Sequence, residues 1–101
     1  MENITAAELA CLGESATVVD VRERDEFANA RVPWAVNLPL SELLDHIDEI
    51  PDEGPVYVMC LVGGRSAKAC QYLERIGKPV VNVLGGIQEW QSEGFPTDGD
   101  A

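Results

Sequence analysis

In the stretch CLVGGRS, residues 60–66, a cysteine is followed by four residues, then an arginine and a serine. The apolar run VYVM ends directly before it, and the helix-like pattern SAKACQYL begins where it stops. A thiol at such a junction is placed for nucleophilic chemistry, because a turn from strand to helix can aim several backbone N–H groups at one point. Gly63 and Gly64 supply the backbone freedom for that turn. The helix beginning near Ser66 adds the positive end of its dipole, and Arg65 adds a full charge. All three favour thiolate over thiol at Cys60, since a free cysteine has a pKa of about 8.5.

The elements that must position this loop follow from pattern. ATVVDV, VYVMC and VVNVL are short, valine-rich runs and read as strands buried on both faces, as in a parallel sheet. Helical patterns alternate with them. Thr5 and Glu8 have capping-box spacing at the start of a short helix that Gly13 should end. Leu43, Leu44 and Ile47 follow Ser41 as N-cap, and Ala67, Cys70, Leu73 and Ile76 follow Ser66, with Gly77 and Pro79 as the stop. A last helix runs from about Ile87 to Ser92. The alternation predicts an α/β domain with a mainly parallel sheet of about five strands and helices on both faces. Cys60 then lies at the carboxyl end of a strand, where open α/β sheets bind ligands.

With 101 residues and 46% apolar content, the chain has material for one core, so residues 1–101 read as a single domain, with a flexible tail from about residue 95. Eighteen acidic against 7 basic residues give a net charge of -11, which opposes binding to nucleic acid or to an anionic membrane. The three cysteines form no CxxC pair and there is one histidine, so the chain suggests neither a disulfide framework nor a zinc site. A reducing, cytoplasmic setting and a monomer are the expectation. Cys11 and Cys70 fall on apolar helix faces and are assigned to the core; Cys70, one turn from Ser66, has a resolving thiol as its lesser alternative. His46 is read as a surface residue, and Trp34 and Trp90 as core or pocket wall, core being preferred.

The motifs together resemble the rhodanese family of sulfurtransferases over nearly the whole chain. VVDVRERDEF, VPWAVNLPL, the loop CLVGGRS and LGGIQEWQSEGFP match the family's segments in order. The resemblance implies that Cys60 takes a sulfane sulfur from thiosulfate or a persulfide, becomes a persulfide, and passes the sulfur to cyanide or a thiol, with a protein persulfide or sulfur-carrier protein as further candidate partners. It implies substrate binding by Leu61, Val62, Gly63, Gly64, Arg65 and Ser66, structural roles for Asp20, Arg22, Gly85, Gly86 and Trp90, and chemistry that needs neither metal nor organic cofactor. Arg65 either grips the donor's sulfonate or braces the loop by pairing with an acid, the first being preferred. Ser66 caps the helix. Trp34 stands where the family usually has glycine, which predicts an altered turn. Leu61 and Val62 are apolar where many thiosulfate users carry charge, which favours an organic or protein-bound persulfide. Two other readings compete: a non-catalytic binding module of the same fold, and a cysteine phosphatase or arsenate reductase, whose phosphate loop is one residue longer.

Overall fold

Valine-rich segments become strands here because branched side chains pack well on a pleated surface that is covered on both sides. In the computed structural model, which describes residues 1–99, the strands are β1 (Glu2–Thr5), β2 (Thr17–Asp20), β3 (Val36–Asn37), β4 (Val56–Met59) and β5 (Val80–Leu84). They form one sheet in the order β1-β5-β4-β2-β3, every pairing parallel. The helices are α1 (Ala6–Leu12), α2 (Arg24–Asn29), α3 (Gly64–Arg75) and α4 (Gly86–Ser92), with 3-10 segments at Gly13–Ser15 and Leu40–Glu49.

The two faces of the sheet carry separate cores. Val19, Val58 and Cys60 point to the side where α3 and the long 3-10 segment bring Leu43, Ala69, Cys70 and Leu73. Val18, Met59 and Val83 point to the opposite side, against Leu9 of α1 and Ile87 and Trp90 of α4. Alternation along β4 therefore decides the site: Met59 faces α1 and α4, and Cys60 is turned toward α3. No helix among the described residues is long and apolar enough to cross a membrane.

Thr5 and Glu8 form the expected reciprocal capping box, at 3.0 and 3.1 Å, and Gly13 ends α1 with φ +62°. Several expectations are corrected. The segment after Ser41 is 3-10 rather than α, kinked at His46 and entered from Pro39, and Ser41 Oγ instead donates to Glu23 Oε1. Strands β1 and β3 and helix α2 come in addition to the elements expected. Cys11 is exposed, not core, whereas Cys70 is fully buried. Trp34 sits in a turn closed by Ala35 N donating to Val32 O at 3.0 Å, and no residue other than glycine has positive φ among those described, so the turn needs no left-handed residue at Trp34. The expected tail is anchored as far as it is described: Phe95 stacks edge-on against Trp90, and Arg31 and Asp98 exchange backbone hydrogen bonds of 2.8 and 2.9 Å. Residues 100–101 of that tail lie outside the described residues.

Asp20 and Arg22 hold the exit of β2 as a buried frame. Arg22 Nε donates to both Asp20 carboxylate oxygens at 3.1 Å and Nη2 to Oδ2 at 2.8 Å. Nη1 and Nη2 continue to the carbonyls of Glu26 and Ala30 in and after α2, at 3.3 and 2.6 Å. Asn37 Nδ2 donates to the Asp20 and Arg22 carbonyls at 3.0 and 2.9 Å, fastening β3 to the same corner. Removing one partner of a buried pair leaves the other charge without compensation. Arg22→Met is expected to cost about 3–5 kcal/mol in urea unfolding, with Asp20→Leu added to it recovering part of that loss; additive losses would show that the two residues do not act as a pair.

Candidate active site

The loop from Cys60 to Gly63 is shaped from behind by α4. Ile87 N donates to the Cys60 carbonyl at 2.9 Å and Gln88 N to the Leu61 carbonyl at 3.0 Å. With these carbonyls held on the α4 side, the loop turns the other way, so that the Val62 and Gly63 amides face the thiol. Gly86 permits the approach, since a Cβ there would collide with the Cys60 and Leu61 carbonyls. Gly85, at φ +77°, is the N-cap of α4. Gly86 thus lets α4 approach the loop, Gly85 starts the helix, and Trp90, fully buried, locks α4 down with its Nε1 donating to the Pro96 carbonyl at 2.8 Å.

Around Cys60 Sγ the donors converge. Gly63 N donates at 3.1 Å and Ser66 N at 3.3 Å, and the thiol in turn donates to the Ser66 hydroxyl at 3.4 Å. Cys60 is 1% exposed, and that burial alone would push its thiol up, because a charge taken from water loses hydration. The Ser66 hydroxyl and the amides of Ser66, Gly63 and Val62 outweigh it, and the thiol is held below the ordinary cysteine value. Cys70 has no such donors: burial, with Glu74 and Cys60 nearby, pushes it up to about 12. It remains a neutral core thiol, which speaks against the resolving role.

The expected loop residues divide by what they do. Leu61 and Val62 turn their side chains outward as an apolar rim, 41% and 55% exposed. Gly63 alone uses glycine-only angles, at φ +113°, and is the N-cap of α3. Gly64 has negative φ and open space around it, so the expectation that both glycines supply special angles is corrected to one. Ser66 is corrected likewise. It is inside the first turn of α3 rather than its cap, where its amide is free to reach Sγ because the first N–H groups of a helix have no partner within it.

Arg65 forms the acid pairing that was the alternative to gripping the donor. It forms a two-pronged pair with Glu26 of α2, Nη1 to Oε1 at 2.7 Å and Nη2 to Oε2 at 2.9 Å. The guanidinium holds the Glu26 carboxyl down to about 2, against partial burial and with help from the Glu23 amide. The arginine therefore braces the loop against α2.

Two residues of the site were not anticipated. Asn82 on β5 receives a hydrogen bond from the Ser66 hydroxyl through Oδ1, and its Nδ2 donates to Asn3 Oδ1 at 3.4 Å. A buried asparagine within VVNVL was the available signal, since an amide in a valine-rich strand needs partners. Glu26 carried no such signal, being one acid among several in RERDEF.

A parallel five-stranded sheet with a cysteine cradle between a strand and a helix defines a class of fold and site that the comparisons identify further. The model of the rhodanese-like domain matches residues 5–93, and the chain belongs to that family. A sulfurtransferase of Allochromatium vinosum is 37% identical over 84 residues, covering 82% of this chain and 78% of the relative. The YrkF protein of Bacillus subtilis is 35% identical over 78 residues, and this chain spans 42% of its length. The crystal structure of a rhodanese-related protein from Thermoplasma volcanium superposes with a TM-score of 0.93 at 35% identity, covering 99% of this chain and 100% of that one.

The geometry separates the glycines experimentally. Gly86→Ala, which drives a methyl into the loop carbonyls, should cost about 1–3 kcal/mol by analogy with overpacked sites and slow alkylation of Cys60. Gly64→Ala should leave alkylation unchanged and be neutral or stabilising by up to about 1 kcal/mol. Equal damage from both would place the constraint elsewhere.

Proposed function

We propose that this chain is a sulfurtransferase that moves a sulfane sulfur from thiosulfate or a persulfide to a thiophilic acceptor through a persulfide on Cys60. The observation that carries the reading is the convergence of the Gly63 and Ser66 amides and the Ser66 hydroxyl on Sγ. The thiolate attacks the outer sulfur of the donor, forming one S–S bond while the donor's own S–S bond breaks. The leaving group departs as sulfite or a thiolate with the bonding electron pair. A cyanide or thiol acceptor then attacks the outer sulfur of the Cys60 persulfide, and the thiolate returns. No external oxidant or reductant enters the cycle.

Negative charge sits on Cys60 at the start and on the terminal sulfur of the persulfide in the intermediate, so preorganised donors serve both states. Ser66 adapts between them, because a hydroxyl both donates and accepts. It accepts from the thiol in the protonated state while its own proton goes to Asn82 Oδ1, and it donates to sulfur when, after the thiol proton has left, its hydrogen turns from Asn82 to Sγ. The reading extends to a reducing, cytoplasmic setting and to a thiol or a sulfur-carrier protein as acceptor.

Intact mass spectrometry after incubation with thiosulfate or glutathione persulfide tests this directly. Wild type is expected to gain one sulfur atom that cyanide removes, and Cys60→Ser to gain none. If neither donor loads Cys60, the binding-module reading takes precedence; hydrolysis of an aryl phosphate dependent on Cys60 would favour the phosphatase.

A further inference from the structure

An anionic sulfur donor must bring its charge to Cys60, and the loop from 60 to 66 contains a single cation, Arg65. That cation is already engaged. Glu26 meets it with both carboxylate oxygens, at 2.7 and 2.9 Å, and is itself fixed by the Glu23 amide, which donates to Oε1 at 3.1 Å. The clamp is thus set by the first turn of α2, and the carboxylate held down to about 2 stays ionised at any neutral pH.

The neighbouring cations do not replace it. Arg22 is buried on Asp20, and Arg24 is bound to Glu42 at 2.8 Å. Lys68, exposed on α3 one turn beyond Gly64, has no ion pair among the described residues and is the remaining candidate for attracting an anion. Against it stand Glu23 and Asp25, exposed beside Glu26, and a chain of net charge -11. The outward rim beside the thiol is Leu61 and Val62, which offer contact area and no charge.

We infer that Glu26 determines donor specificity. By neutralising Arg65 it leaves the cradle without a free guanidinium, so that the site discriminates against doubly charged donors such as thiosulfate and selects persulfides carried on uncharged or cationic thiols, whose carbon skeleton packs on Leu61 and Val62. This rests on the sulfurtransferase reading for its chemistry but not for its electrostatics. Glu26 touches no reacting atom; it is a positioning residue that acts through Arg65.

Glu26→Gln is the fitting variant, since the amide oxygen still accepts from Glu23 N and Arg65 Nη1, while the charge and the acceptor for Nη2 are lost. Two readouts are taken on wild type, Glu26→Gln, Glu26→Gln with Arg65→Gln, and Lys68→Gln. The first is the ratio of kcat/KM for thiosulfate to that for cysteamine persulfide. It should rise about tenfold in Glu26→Gln, mainly through a lower KM for thiosulfate, as one unpaired charge acts on a dianion across partly solvated space. It should fall back in the double variant. The second needs no sulfur transfer: the ratio of Cys60 alkylation rates with iodoacetate and iodoacetamide, which reads the potential at the thiol. It should rise severalfold in Glu26→Gln and return in the double variant.

Unchanged ratios in a Glu26→Gln protein with native circular dichroism overturn the inference, as does a rise that survives loss of Arg65. So does a larger drop in both ratios for Lys68→Gln than the rise seen for Glu26→Gln, which would make Lys68 the governing charge. Should Glu26→Gln fail to fold, Glu26→Ala must move both ratios in the same direction. If no donor loads wild-type Cys60 while the alkylation ratio responds, the sulfurtransferase reading falls and the electrostatic role of Glu26 stands. If loading occurs and both ratios stay put, the reverse holds.

Discussion

Everything in this fold bears on one balance at Cys60: burial that opposes a charge, set against N–H and O–H groups that favour it. A buried thiolate without donors is expensive, and Cys70, a helix turn and a half away from Arg65 in sequence and equally buried, keeps its proton for that reason. Cys60 differs only in what surrounds it. The amides that reach Sγ do so because α4 holds the Cys60 and Leu61 carbonyls at the start of the loop, because Gly63 bends where other residues would be strained, and because α3 begins there with unpaired N–H groups. None of these contributions is chemically unusual. Their convergence requires a strand, a loop and two helix starts to be held in register.

That register comes from the parallel sheet and from two charge pairs in different surroundings. Asp20 and Arg22 are buried, and together with Asn37 they fix the corner where β2 leaves the sheet and α2 begins. Helix α2 in turn delivers Glu26 to Arg65, joining the corner to the first turn of α3. The loop is therefore held from three sides, by α4 through its carbonyls, by α2 through Arg65, and by β5 through Asn82 and Ser66. A ring so restrained loses little entropy when a negative sulfur forms within it, which is the physical meaning of a preorganised site.

Much of this was legible in the chain. The valine runs are strands because nothing but a covered sheet suits them, and the Thr5 and Glu8 spacing gave the capping box in both its bonds. Cys60 stood out through its position between strand and glycines. The pieces left unread have a common cause. Strand β1 contains one aliphatic residue and β3 only two residues in all, and both exist by virtue of neighbours, β5 and β2, that are distant in sequence. Helix α2 has six residues and a single large apolar one, too few for a helical period to emerge. Within the loop, residue types announced the chemistry but not the division of labour. Whether Gly63 or Gly64 bends, whether Ser66 caps or donates, and whether Arg65 meets substrate or Glu26 depend on ångström-scale placement. That placement is set by the packing of α2 and α4.

The titration of Cys60 is the measurement that bears most directly on the balance described above. Alkylation by iodoacetamide, followed residue by residue with peptide mass spectrometry so that Cys11 and Cys70 are counted apart, gives its midpoint as a function of pH. The convergence of donors predicts a midpoint below the ordinary cysteine value of about 8.5, rising when Ser66→Ala removes the hydroxyl. A midpoint at or above that value in the wild-type protein would mean that burial prevails, and that the loop does not hold a thiolate.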